Sequence, residues 1–475
     1  MTEQLIPRLK ITGTLTNKTA LMIGSGREIA KTKTGKDITS PTYTAICLAD
    51  EGKPYIPASS LRGLLLSLCN TRYGKDSDIG KALFGSAKNN ANKDDGNMGA
   101  LRIYDAVCAT LAMQDDNNTP KRTRNAINPI TGTAKDNFLY SHAYVPESNM
   151  FNCEIEADNL NEAQIKQLLG LLGQLDASPF SQLGKGKSNQ QGLIAWQLQR
   201  TETLGSENLQ KWLTDGKADS NLPWLAQSFA DATPPTAGKL LQHFSLTLTP
   251  QSPILINDPE RVKPDKGSGE AKLEYYRDPQ GQLVIPASSL KGVMRSHCRK
   301  ILLTLLIDKA GLKPNDDQQQ ANRIADRLIG ELFGSTGQQS NIWLSDAVAE
   351  NTGKHTQTFN AVDRFTGGVA DGALYTANAA TATAIKTDVY LKNSLDDWQK
   401  GLLILLLRDA LEGDLTVGWG KAKGFGSIVL TEITNGEQAL KNWPELCEDT
   451  KHLAAMQSWL ESLNTRLDTK SQGEQ

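Results

Sequence analysis

The segment IPASSLRGLL at 56–65 returns as IPASSLKGVM at 285–294, and it does not return alone. LFGS at 83–86 is answered by LFGS at 332–335, and LRIYDAV at 101–107 by IWLSDAV at 342–348. NPITGTAKDNFLY at 128–140 is answered by DRFTGGVADGALY at 363–375, and LGKGKSNQQG at 183–192 by VGWGKAKGFG at 417–426. Matched blocks in one order, with unequal gaps, mark a tandem duplication in which only loops differ in length. Whatever fold one half adopts, the other must adopt too. At 475 residues the chain is long enough for two cores.

Each half opens on alternating apolar residues broken by turn formers, LKITGTLTNKTALMIG at 9–24 and HFSLTLTPQSPILI at 243–256, as strands do. An apolar helix follows each IPASSL. NEAQIKQLLGLLGQL at 161–175 and LDDWQKGLLILLLRDAL at 395–411 predict a second helix, and LIAWQLQ at 193–199 and SIVLTEI at 427–433 a closing strand. This β-α-β-β-α-β order with insertions predicts an α+β chain of two ferredoxin-like domains, residues 1–198 and 240–433. Residues 199–239 read as a linker with a short helix, hinged at PPTAGK (234–239), and 434–475 as an acidic helical tail. That tail either caps the second half or docks on a neighbouring subunit.

Composition excludes several classes. GLLILLL at 401–407 is far too short to cross a bilayer, and MTEQLIPRLK lacks a secretory layout. Six scattered cysteines without a CxxC pair argue against disulfides or structural zinc and favour the reducing cytoplasm. A net charge of −2 is unpromising for nucleic acid, but residues 431–475 carry −4 and residues 199–239 carry −1, which leaves the remainder at +3. Basic clusters lie at Arg27, Lys31, Lys33 and Lys36, at KRTR (121–124), and at Lys185 and Lys187.

Three repeated blocks offer chemistry. After each IPASSL proline, Ser59 or Ser60, and Ser288 or Ser289, are expected helix N-caps. Arg62 and Lys291 then sit in a first turn, where a cation opposes the helix dipole. Such a residue in both halves points to a phosphate at the helix N-terminus, against simple solvation. In the glycine blocks, Gly184 and Gly186, and Gly420 and Gly424, let backbone approach a ligand. Lys185, Lys187, Lys421 and Lys423 lie among them; tight packing explains the same glycines. The block precedes a strand and lacks GxxxxGK[ST], so it is no nucleotide P-loop. Arg122, Arg124 and Asn125, with Arg364 in the second half, are residue types that contact RNA backbone, though the surrounding Asn, Pro and Gly also form turns. No RNP1 signature is present and aromatics are only 6%, so RNA would be held mainly by backbone and shape. None of the five histidines occupies an aligned pair of positions, which argues against a histidine-based ribonuclease.

Together, IPASSL with Arg62 or Lys291, LFG, DRFTGG at 363–368 and GWGKAKGFG at 418–426 resemble the CRISPR-associated RAMP superfamily. They are most similar to the Cas-seven-like backbone subunits of type III effector complexes, so the chain resembles a fusion of two such subunits. The likeness covers nearly all of both halves. The first half departs from it, with NPITGT at 128–133 and SNQQG at 188–192.

The resemblance implies RRM-like domains carrying thumb-like hairpins. Such subunits stack along a guide RNA (crRNA) and push the thumb through the guide–target duplex. They cut target RNA beside a splayed nucleotide, using a loop aspartate and divalent metal, Mg2+ or Mn2+. Carried onto this chain, the aspartates are Asp37 (alternative Asp50) and Asp265 (alternative Glu270), with Asp37 and Asp265 also the metal ligands. Counting back from the IPASSL proline lands instead on Thr42 and Ala271, which leaves room for an inactive half. Asp50 and Asp278 also read as turn residues. The chemistry is economical: an unstacked nucleotide aligns its 2′-OH with phosphorus, and one carboxylate acts as base or metal holder. Implied partners are crRNA, target RNA, neighbouring backbone subunits, a large polymerase-like subunit and a small subunit, serving antiviral defence. The competing reading is a non-catalytic scaffold of the same complex. A guide-processing endonuclease is a weaker third, for want of a placed histidine.

Overall fold

The structure is a computed structural model. It describes residues 5–30, 42–86, 96–113, 119–128, 131, 133–135, 138–177, 181–205, 210, 214, 224–229, 241–258, 271–278, 280–310, 318–370, 374–392, 394–435, 438–439 and 450–471. The chain forms two compact units, one built from Met1–Asn128 and Gly132–Gly238, the other from Pro129–Thr131 and Lys239–Gln475.

In the first unit the central sheet runs Ile194–Leu204, Leu5–Asn17, Met150–Asn161, Ala106–Cys108, antiparallel throughout. The second unit repeats it as Ser427–Asn435, Leu241–Pro250, Ala384–Lys392, Ala347–Glu350. In both, the opening strand lies between the last and the third, the ferredoxin-like order. Both opening strands also bulge against the closing one, between Thr12 and Gly13 and between Thr247 and Leu248. Gly13 is required there: a Cβ would meet the Trp196 ring at 2.3 Å.

Alternation drives the burial. Leu9, Ile11 and Leu15 point to one face and meet Leu61, Leu65 and Leu68 of helix Ala58–Tyr73 and Ile165, Leu168 and Leu172 of helix Glu162–Ala177. Leu246 and Leu248 do the same with Leu290, Met294 and Leu302 of helix Ala287–Lys309 and Leu402 and Leu406 of helix Asp397–Glu412. Each such side chain contributes roughly 1.5–3 kcal/mol of burial. The second helices start with matching reciprocal caps. Asn161 accepts from the N–H of Gln164 at 2.8 Å while Gln164 accepts from that of Asn161 at 3.0 Å, and Asp396 and Gln399 form the same box.

Beside each core lies a smaller sheet. It is Gly24–Ala30, Thr42–Ile46, Tyr140–Ala143, Lys121–Arg124 in the first unit and Ala271–Glu274, Tyr375–Thr381, Gly353–Phe359 in the second. The Thr123–Ser141 hydroxyl pair (2.7 Å) is matched by Thr358–Thr376 (3.1 Å), which fixes the residue-by-residue correspondence. From these sheets project the expected hairpins. Ile127 bridges Ala134 in one, and Val362 bridges Val369 in the other.

The tail helix Thr450–Ser471 packs along helix Asp397–Glu412 of its own unit, burying Met456, Leu463 and Leu467. Gly401 permits this, since a Cβ there would lie 2.4 Å from the Trp459 carbonyl. The closing strand of the first unit runs to Leu204, past 198, because Leu225–Ala226 pairs along its edge. PPTAGK lies outside the described residues. Among the described residues five cysteines are free, and no helix is long and apolar enough to cross a membrane.

Candidate nucleic-acid interface

The IPASSL helices are capped by a residue from elsewhere in each repeat. Pro57 and Pro286 occupy the N-cap positions and no serine caps either helix. Instead Ala58 N–H donates to Asp105 Oδ1 at 2.7 Å, and Ala287 N–H to Asp346 Oδ1 at 2.8 Å. The expectation for Ser59, Ser60, Ser288 and Ser289 is therefore corrected: the aspartate of the repeated DAV block supplies the negative charge at the helix start.

The first-turn cations are both engaged within the protein, Arg62 from an exposed position and Lys291 from a buried one. Arg62 Nη2 donates to the Phe84 carbonyl at the end of helix Asp78–Phe84. In the second unit that service falls to Arg295, which donates to the Gly334 carbonyl at 2.9 Å just past helix Gln319–Phe333. Lys291 is buried, its Nζ donating to Ser340 Oγ at 2.7 Å and the Ile342 carbonyl at 3.0 Å. Burial, helped by the charge of Arg295, pulls its pKa down to about 7. Lys291 is thus an internal donor rather than a phosphate ligand, and Arg62 serves a helix C-terminus, where a cation complements the dipole.

The glycine blocks fold into matching loops. Lys185 N–H donates to the Met22 carbonyl at 2.9 Å and Trp419 N–H to that of Leu255 at 2.7 Å. Gly192 N–H donates to the Ala20 carbonyl and Gly426 N–H to that of Pro253, both at 2.9 Å. A Cβ on Gly184 or Gly418 would lie 2.0 or 2.4 Å from the Met22 or Leu255 carbonyl, so these glycines serve backbone packing. Gly186 and Gly420 both take left-handed φ and open equivalent 3-10 turns, Lys187–Asn189 and Lys421–Lys423. The correspondence sets Lys187 against Lys421, Lys185 against Trp419, and Asn189 against Lys423. Lys185, Lys187, Lys421 and Lys423 are all exposed.

Next to each loop sits the base of the thumb-like hairpin, and here the units differ. In the first, Arg122 and Arg124 lie on strand Lys121–Arg124 opposite His142 and Tyr140. His142 is only 3% exposed and its Nδ1 meets no hydrogen-bond partner. Burial, then the positive charges of Arg124, Arg122 and Lys185, lower its pKa to about 4. Three cations from the strand and the glycine loop thus act on one neutral, buried imidazole. In the second unit the positions of Arg124, Tyr140 and Lys185 hold Phe359, Tyr375 and Trp419. Phe359 and Tyr375 stack at 5.2 Å, Trp419 stands edge-on to both at 6.0 Å, and the Lys423 ammonium lies 4.9–5.3 Å from all three ring centres. Lys423 also donates to the Tyr375 hydroxyl.

Asn125, at the base of the first hairpin, and Arg364, near the tip of the second, are exposed, and Phe365 is fully so. The open faces of the large sheets are far less available to RNA. Arg8 pairs with Glu156 at 2.7 Å, Lys10 with Glu154 at 2.9 Å, and Arg102 with Asp158, with Trp224 over Arg8 and Lys10. In the second unit Asp388 holds His243 at 2.9 Å and Ser245 at 2.6 Å.

Asp37, Asp265 and Glu270 lie outside the described residues. Thr42 and Ala271, reached by counting back, do begin equivalent strands, each in a parallel pair with the hairpin strand. Asp50 lies in the turn Asp50–Gly52, bracketed by the Leu48–Pro54 bridge, and Asp278 in the matching turn under Arg277–Leu283. Among the described residues one acidic trio, Asp409, Glu412 and Asp414, brings its oxygens within 4.8 Å of one another. Asp409 is already engaged by His297 at 2.7 Å and Arg408 at 2.6 Å, and it lies on neither predicted loop.

The family model described as the RAMP superfamily matches residues 14–195 and again 247–429. No curated protein matches the chain.

Proposed function

The chain belongs to the RAMP superfamily, twice over, and from that premise we propose that it is a crRNA-binding backbone subunit of a type III CRISPR effector complex. The observation that carries this reading is the junction of glycine loop and hairpin, where Arg122 and Arg124 lie on the strand opposite His142 and Tyr140 and Lys185 is close enough to act on the same buried imidazole. That arrangement suits a sugar-phosphate chain, which needs charge and close backbone rather than base-edge readout. Lys187 and Lys421 extend the same kind of surface in their own units, and Arg364 with fully exposed Phe365 equips a hairpin tip to wedge between bases. Sequence specificity would then rest with the guide.

We assign target cleavage to Asp37 and Asp265, which would hold Mg2+ or Mn2+ in the segments preceding Thr42 and Ala271. The ion would supply charge for the departing oxygen; the hairpin would supply the splayed geometry. The partners are crRNA, target RNA and the neighbouring large, small and backbone subunits. In complexes assembled with Asp37→Ala or Asp265→Ala, each substitution should erase one cut from the fragment ladder while target stays bound. A full ladder from both variants leaves the scaffold role standing without the nuclease. Failure of the parent chain to hold crRNA overturns the proposal entirely.

A further inference from the structure

The two equivalent junctions are built from opposite chemistries. Where the first unit places Arg124, Lys185 and Asn189, the second places Phe359, Trp419 and Lys423. We infer that the two junctions hold different parts of the bound RNA. The first grips a phosphate, and the box of Phe359, Tyr375 and Trp419 takes an unstacked nucleobase in place of the Lys423 ammonium. This rests on the RNA-binding reading above and names what each copy holds.

The box has the form such an occupant needs. Phe359 and Tyr375 face each other across a strand pair and stack at an interplanar angle of 18°, while Trp419 stands at 74° and 88° to them. Phe425 closes the floor and is 2% exposed, whereas the other three rings are only half-buried. The lid is a lysine on a 3-10 turn, between left-handed Gly420 and Gly424, and no Cβ contact would be met at Gly424. Its ammonium satisfies the π-faces in the absence of RNA. When a strand enters, exposed Lys423 would exchange the rings for a phosphate, and the rings are released to stack. Lys421 on the same turn and Arg364 on the adjoining hairpin make the surroundings cationic, which favours RNA over an apolar peptide. Among its described residues the first unit has no such box: Tyr140 pairs with His142, at 6.2 Å.

The test uses the full chain and single-stranded RNA carrying 2-aminopurine at successive positions, with affinity measured across a salt series. Trp419→Ala should weaken binding roughly 5- to 150-fold with an unchanged salt slope, and Trp419→Phe should retain most of the affinity. Arg124→Gln with Lys185→Gln should flatten the salt slope by about two contacts while leaving 2-aminopurine quenching intact. Lys423→Ala should keep the quenching. The inference is overturned if Trp419→Ala and Phe359→Leu, both folded by circular dichroism, leave affinity and quenching as in the parent. It is equally overturned if Trp419→Ala acts only through the salt slope. A parent chain that binds no RNA would instead remove the function itself.

Discussion

Asp105 reaches 47 residues back along the chain to accept the N–H of Ala58 at 2.7 Å, and Asp346 does the same for Ala287 at 2.8 Å. One carboxylate per unit thus ties the second strand region to the start of the first helix. Asp105→Ala and Asp346→Ala should each destabilise their unit by about 1 kcal/mol, and the Asn variants by less. Denaturant titration followed by circular dichroism measures both. RNA affinity should stay unchanged, because the carboxylate holds the helix rather than the ligand.

The glycine loops make a graded prediction. At Gly426 a Cβ would lie 1.9 Å from the Val417 carbonyl, with φ at 83°. At Gly424, φ is 81° but nothing lies within 4 Å. Gly424→Ala should therefore cost only left-handed strain, about 1 kcal/mol, and Gly426→Ala clearly more. Equal losses in thermal melts would refute the distinction.

His142 predicts an acid-sensitive first unit. Its folded pKa of about 4 lies below the ordinary value of 6.5, so the unfolded chain binds the proton more readily between those limits. The stability this depression protects is complete above pH 6.5 and falls as pH drops toward 4, by up to about 3 kcal/mol. His142→Gln should flatten that slope in urea titrations at about pH 7.5 and about pH 4.5, which bracket the window. Bound RNA should shift the transition to lower pH by neutralising Arg122 and Arg124.

Lys291 gives the converse case. A folded pKa near 7 against an ordinary 10.5 means the buried amine penalises the fold increasingly as pH falls through that window. Ser340 Oγ already donates to the Ile342 carbonyl at 2.8 Å, so removing the lysine orphans no acceptor. Lys291→Met should be at least as stable as the parent at pH 7, its advantage vanishing near pH 10.5, with RNA binding intact.

The duplication, both large sheets and all four main helices were legible because periodic burial and repeated turn residues write them locally. The caps were not. Ser59 and Ser288 satisfy every local rule for an N-cap, yet a carboxylate from across the fold reached the helix first. The available signal was the aspartate shared by LRIYDAV and IWLSDAV. Lys291 misled for a related reason: its first-turn position suggests an external anion until Ser340 and the Ile342 carbonyl come into view. Aromatics counted over the chain are few, but Phe359, Tyr375, Trp419 and Phe425 come from three separated segments that only folding gathers.

The exchange of Arg124 for Phe359 at matching positions is something a ring or filament of identical subunits cannot possess. In such assemblies every substitution is stamped onto every copy. Covalent doubling removes that symmetry and freezes a one-to-one ratio of the cationic junction to the aromatic one.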